Sequence, residues 1–311
     1  VAGGSPSALR AFGPGKVILL GEHGVVYGHP ALAAPLEAGV TALGVPARRC
    51  ELVMPEGVPV AAARLLRTAF VQLADGLGQP PVRVTLQSDL PLSQGLGSSG
   101  ALAVACARLL LQAKTGRAPK TAEVERWAWA MERAFHGTPS GVDHTTSARG
   151  QLLYYRKAPG AEVGRARAVT GPRPLQLLVA LAGPRTGTKQ TVAALRVRAG
   201  KWPRRYERVF RGIGALVNEA RAAVEAGDAA SLGDLMNMNH GMLAGLGLSS
   251  ETLDGMVHRL RGLGALGAKL SGAGGDGGAV IGLFEDAHAA ARVLRRHRVP
   301  CFTSVIAGRD A

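Results

Sequence analysis

A glycine- and serine-rich loop, Pro91-Leu-Ser-Gln-Gly-Leu-Gly-Ser-Ser-Gly100, leads directly into a run of alanine, leucine and valine that continues to about Lys114. A helix that is apolar all round is covered all round, so the helix predicted from about Ser99 to Lys114 lies in a protein interior. The loop therefore has to deliver the chain to the start of a buried helix. Glycines leave no Cβ in the way of an approaching group and open positive φ. The N–H groups of a helix start and the positive end of its dipole point at the same place. Loop and helix together read as a cradle for an anion, with Ser98 and Ser99 supplying hydroxyls for phosphate oxygens or a metal ion. A flexible turn with a serine N-cap is the competing reading. No lysine follows the glycines as in a Walker loop, and the spacing is not a dinucleotide fingerprint.

At 311 residues the chain has room for two domains of ordinary size. Lys16-Val-Ile-Leu-Leu20 reads as a short buried strand, Val82-Arg-Val-Thr-Leu86 as a half-buried one and 175–181 as a continuous apolar one. Helices are expected over 121–135, with Thr121 as N-cap, and over about 188–198, 206–226, 229–243 and 250–263. The tail reads strand (268–271), glycine-rich turn, strand (279–284), helix (286–298), strand (302–306). Without a regular βαβ alternation this order favours α+β over a doubly wound sheet. The stretch Ala158–Pro174, rich in Gly, Pro and Arg, is the candidate boundary, giving domains of 1–170 and 171–311.

A formal net charge of +15 admits nucleic acid, an anionic surface or small anionic substrates. The densest basic runs, 201–208 and 292–298, are expected on solvated helix surfaces, so charge alone names no partner; neither nucleic acid nor membrane binding is expected. Cys50, Cys106 and Cys301 are odd in number and lack metal-ligand spacing, which points to no disulfide framework and no zinc site and fits a reducing cytoplasm. The first residues lack a signal-peptide pattern, and no apolar run approaches the roughly 20 residues that span a bilayer.

Three more segments carry chemistry. Lys269-Leu-Ser-Gly-Ala-Gly-Gly-Asp-Gly-Gly278 holds more glycine than a tight hairpin needs, so its backbone is expected against a ligand or another loop. Glu132-Arg-Ala-Phe-His-Gly-Thr-Pro-Ser-Gly-Val-Asp143 places one carboxylate at a helix end and another past a Gly/Pro turn. Such a pair suits Mg²⁺ or the acceptance of a hydroxyl proton; the competing reading is that Asp143 caps a helix over 144–148. In Pro14-Gly-Lys-Val-Ile-Leu-Leu-Gly-Glu-His-Gly-Val-Val-Tyr-Gly28, Glu22 and His23 sit in a glycine-flanked turn after the strand that Lys16 precedes.

Taken in order, these four segments resemble the mevalonate kinase branch of the GHMP kinases over essentially the whole chain. Glu22-His23 followed by Val25-Val-Tyr-Gly-His-Pro-Ala-Leu32 is similar to that branch. Galactokinases would show Thr-Asp-Tyr there, and phosphomevalonate kinases Glu-Tyr. The resemblance implies a two-domain GHMP kinase fold, with a ribosomal-protein-S5-like N-terminal domain, a ferredoxin-like C-terminal domain and substrate between them. It implies phosphorylation of the C5 hydroxyl of mevalonate by ATP with Mg²⁺, and a homodimer. By motif, Asp143 is the catalytic carboxylate with Lys16 beside it. Gly95, Leu96, Gly97, Ser98, Ser99 and Gly100 hold the ATP phosphates. Glu132 and Ser99 bind Mg²⁺, and His23, Thr188, Gly272, Ala273 and Gly274 meet the substrate. Phosphorylation of phosphomevalonate or another small alcohol, and a non-catalytic ligand- or nucleic-acid-binding member of the fold, are the rival functions. The pattern departs at Asp276, where the family usually has Gly, at Ser93-Gln94 for Gly-Ala, and at Gly100 for Ala. A carboxylate near ATP phosphates is unfavourable unless it points away or binds a cation.

Overall fold

The computed structural model describes residues 8–91, 94–137, 139–184 and 187–308, without the side chains of Thr188 and Lys189. Leu92, Ser93 and Thr138 of the segments above lie outside it. The described chain divides into two compact units that are interleaved along the sequence. One takes the chain up to Lys16, then Ala38–Pro91 and Gly97–Gly150. The other takes Val17–Glu37, a stretch ending at Leu96, and the chain from Gln151 onward.

The first unit is built on strands β1 (Leu9–Leu20), β2 (Pro30–Pro46), β3 (Glu51–Val53) and β4 (Val82–Ser88), of which β1 and β2 run on into the second unit. β4 pairs antiparallel with the end of β2, Val40 facing Ser88, and parallel with β3, Leu52 facing Val84. The parallel pair is joined by the crossover helix α1 (Val60–Gly76), which buries Leu66, Ala69, Phe70, Leu73 and Ala74, a 3–4 spacing that marks one helical face. Helices α2 (Ser98–Thr115), α3 (Thr121–His136) and α4 (Val142–Arg149) pack together. α2 buries Ala101, Val104, Ala105, Leu109 and Leu110 among others, as its composition requires. Arg108, half-buried on this helix, donates to the carbonyls of Phe12 and Ala148 and so ties β1 and α4 to the helix.

β1 begins well before the expected Lys16. Gly13-Pro-Gly15 reads as a chain breaker, but Gly13 passes so close to the Ala101 carbonyl that no side chain fits there, and the strand continues through it. Thr121 is the first helical residue of α3 rather than its cap; the Glu123 carboxylate accepts the Lys120 N–H at 3.1 Å instead.

In the second unit Pro30–Ala33 of β2 pairs with β5 (Leu153–Arg156), and β5 pairs with β6 (Arg165–Ala168), which lies inside the Gly/Pro/Arg stretch. A four-stranded antiparallel sheet follows, made of β7 (Leu175–Leu181), β8 (Gly267–Ser271), β9 (Ala279–Phe284) and β10 (Cys301–Ile306), in the order β10-β7-β9-β8. Helices α5 (Thr188–Lys201), α6 (Pro203–Ala226), α7 (Ala229–Gly245) and α8 (Glu251–Gly262) join β7 to β8, and α9 (Ala287–Arg296) joins β9 to β10. Strands in that order with two helical crossovers make a split βαβ, ferredoxin-like unit, as expected. Its core gathers Leu178, Phe210, Ile213, Leu243, Leu260, Leu270 and Val280. The basic runs flank Trp202 and close α9, on exposed surface. The described cysteines are free. Among the described residues no helix is long and apolar enough to cross a membrane.

Candidate active site

The first unit brings its predicted residues to the start of α2. The helix begins at Ser98, and Gly97 (φ 71°) is its N-cap with no side-chain bond, so the serine-cap reading of the loop fails. Two glycines are there for approach rather than for flexibility. A Cβ on Gly97 would stand 2.8 Å from Lys16 Cγ, and one on Gly100 would stand 2.9 Å from the Asp143 carbonyl carbon and the His144 nitrogen. The departure from Ala at residue 100 thus lets the first turn of α4 lie directly on the first turn of α2.

Lys16, buried in β1, reaches the same place. Its Nζ is 3.0 Å from Asp143 Oδ1, with the lysine side chain 5% and the aspartate side chain 29% exposed. Asp143 does not cap α4, since Gly141 occupies that position; it lies in the first turn, where the helix dipole favours a negative group. An accessible carboxylate beside a buried ammonium is chemically able to accept a proton from a hydroxyl brought to it.

Glu132, just before the last turn of α3, is 2% exposed. Burial, followed by the nearby Asp143 charge, pushes its carboxyl up to about 8, against the lowering effects of a Ser99 hydrogen bond and of Lys16. Its Oε1 is buried without a hydrogen-bond partner. Sequence reasoning missed His136, whose Nε2 lies 3.0 Å from Ser99 Oγ and 3.9 Å from Glu132 Oε1. The i,i+4 spacing from Glu132 was the available signal. Among the described residues no three His, Cys, Asp or Glu form a metal cage. The orphaned buried carboxylate oxygen beside a serine hydroxyl still fits Mg²⁺, which takes few protein oxygens and completes its shell with water and phosphate.

The second unit gathers the other predicted residues. His23 Nε2 is 3.1 Å from the Ala273 carbonyl. Lys269, wholly buried, pairs with the buried Glu22 carboxylate. The glycine-rich loop after β8 lies against Gln94–Gly95: Ala279 N–H donates to the Gln94 carbonyl at 3.3 Å, and a Cβ on Gly272 would stand 3.4 Å from the Gly95 carbonyl. The expectation of backbone against another loop holds. Gly274 packs on the Leu248 carbonyl. Asp276 has its Oδ2 2.8 Å from where a Cβ on Gly187 would stand. Its carboxylate therefore sits at the start of α5, beside Thr188, where the helix dipole accommodates it.

The GHMP kinases N terminal domain model matches residues 59–151, and the GHMP kinases C terminal model matches residues 220–299. The chain is 35% identical over 295 residues to the mevalonate kinase of Aeropyrum pernix, covering 90% of this chain and 89% of that one. It is 31% identical to the mevalonate kinase of Pyrococcus abyssi, with 88% of each covered. The crystal structure of L. major mevalonate kinase in complex with R-mevalonate superposes with a TM-score of 0.84 at 27% identity, covering 99% of both chains.

Proposed function

The chain belongs to the mevalonate kinase branch of the GHMP kinases, and we propose that it transfers the γ-phosphoryl group of ATP to the C5 hydroxyl of mevalonate, giving 5-phosphomevalonate and ADP. The observation that carries the chemistry is the Lys16–Asp143 pair at 3.0 Å beside the start of α2. Asp143 accepts the hydroxyl proton as the oxygen attacks phosphorus. The Lys16 ammonium lowers the cost of the developing alkoxide and steadies charge on the transferring group. The N–H groups of residues 95–100 hold the phosphates. Glu132 and Ser99 would hold Mg²⁺, which supplies charge neutralisation at the phosphate oxygens when bound. Most of the acceleration then comes from position and fixed charge. His23, Thr188 and the Gly272-Ala273-Gly274 backbone are assigned to mevalonate. A division at residues 170 and 171 belongs to the same reading, since it falls between the spans matched by the two family models. A homodimer and a cytoplasmic location complete it.

ADP release from Mg·ATP, with mevalonate, phosphomevalonate, galactose and homoserine offered separately, tests this. Turnover with mevalonate alone is expected. Turnover with another of the four would overturn the specificity read from Glu22-His23. Asp143→Asn is expected to cut kcat by about a hundredfold or more while nucleotide still binds; near-normal kcat would remove Asp143 from its role.

A further inference from the structure

The turn after β1 is held in a costly conformation. His23 has φ 59° and ψ −44°, and Gly24 N–H donates to the Glu22 carbonyl at 2.7 Å. An i→i+2 bond across a residue with those angles is the positive-φ γ-turn, the rare and strained form. A side chain as large as histidine stays there only where its surroundings over-determine it.

Those surroundings are β8 and the loop that follows. The Lys269 ammonium donates to Glu22 Oε1, to the Leu270 carbonyl at 2.6 Å and to the Ile18 carbonyl at 3.4 Å. Ser271 Oγ accepts the Ile18 N–H at 3.0 Å, and His23 meets the Ala273 carbonyl beyond it. The residue before the strained histidine is thus gripped by a charge that is itself fixed on two backbone carbonyls. A buried ion pair is a poor way to add stability, because well-packed apolar residues of the same volume do as well or better. What the pair adds is direction: apolar side chains would fill the space without fixing where the Glu22 backbone points.

We propose that the Glu22–Lys269 pair is a positioning device, which keeps His23 in its γ-turn and thereby sets the affinity of the site for mevalonate. This rests on the assignment of His23 to mevalonate. The informative variant replaces both partners, Glu22→Met with Lys269→Met, removing the charges together and leaving none buried alone. Its melting temperature is expected near that of the parent. Its KM for mevalonate is expected to rise about tenfold or more, with kcat and the KM for Mg·ATP changed by less than about threefold. A mevalonate KM unchanged from the parent's, along with an unchanged melting temperature, would show the pair to be structural only and overturn the proposal. Should the double variant not fold, Glu22→Asp keeps the charge, shortens its reach by one methylene and is read by the same split.

Amide exchange at Gly24, followed by NMR without substrate, separates this proposal from the functional assignment. Faster Gly24 exchange in the double variant is expected, even if the parent turned over no mevalonate at all. Unchanged exchange would refute the positioning role whatever the substrate proves to be.

Discussion

Glu132 is the proposed Mg²⁺ ligand, and its burial should cost the ligand-free fold stability. Its carboxyl is pushed from 4.5 to about 8, first by burial and then by Asp143. Between those values the folded protein keeps a proton that the unfolded chain has released, so stability falls by about 1.36 kcal/mol per pH unit. At pH 7, some 2.5 units above 4.5, the loss reaches about 3 kcal/mol. Glu132→Gln mimics the protonated form and retains an acceptor for Ser99. Wild type and variant should therefore be equally stable near pH 4.5 and diverge steadily above it, the variant being about 3 kcal/mol more stable at pH 7. For a chain of this length that corresponds to about 5 °C in melting temperature. Urea titrations of the ligand-free protein from pH 5 to 8 give the difference directly. Parallel curves, or a variant that is the less stable at pH 7, would refute the electrostatic account of this carboxylate. The same variant should lose Mg²⁺-dependent turnover, making stability and activity move in opposite directions.

Two other perturbations test the architecture. Gly97→Ala forces a Cβ into positive φ and to 2.8 Å from Lys16 Cγ; a cost of about 1–2 kcal/mol from the backbone alone and a displaced Lys16 should lower kcat, and unchanged kinetics would show the close approach to be unimportant. His240, on α7, accepts the Leu270 N–H at Nδ1 and sets Nε2 3.0 Å from Asp254 Oδ1. Burial, then the Lys269 charge, lowers its pKa, with Asp254 opposing and Arg261 adding to the effect. Its contribution is complete above the unfolded value of about 6.5 and is lost as pH falls below it, because the unfolded chain takes up the proton first. His240→Gln should flatten the fall in urea midpoint between pH 7.5 and 5, and an equally steep fall would assign it to other groups.

What could be read in the sequence was whatever a single segment carries. The apolar α2, the alternating β4 and the strand–turn–strand–helix–strand tail need no distant partner to be recognised. β2 was not seen, because Pro30-Ala-Leu-Ala-Ala-Pro35 is small and apolar without alternation and is a strand through what it pairs with. α1 was passed over although its apolar spacing is regular; Pro59 stands at its cap without a side-chain bond, and no acidic residue opens its first turn. Lys16, Glu132 and Asp143 were singled out through their motifs, whereas the distance between Lys16 and Asp143 depends on β1 and α4 meeting through α2. His136 and the partnership of Lys269 with Glu22 were missed for the same reason. Each is an ordinary residue until the fold brings it to its neighbour.

The Glu22–Lys269 pair also sets a schedule. Lys269 follows Glu22 by 247 residues, and at about 5–20 residues per second a ribosome takes roughly 10–50 s to make that length. The segments of the first unit are complete once Gly150 has emerged. The Val17–Glu37 segment belongs to the second unit: Pro30–Ala33 can pair with β5 soon after Gly150, while acidic Glu22 and the valine and leucines of β1 before it must wait, exposed, for β8. The nascent chain is therefore most open to misassembly in its earliest-made piece. A slower stretch of translation after Gly150 would prolong that exposure, and one after Ser271 would not.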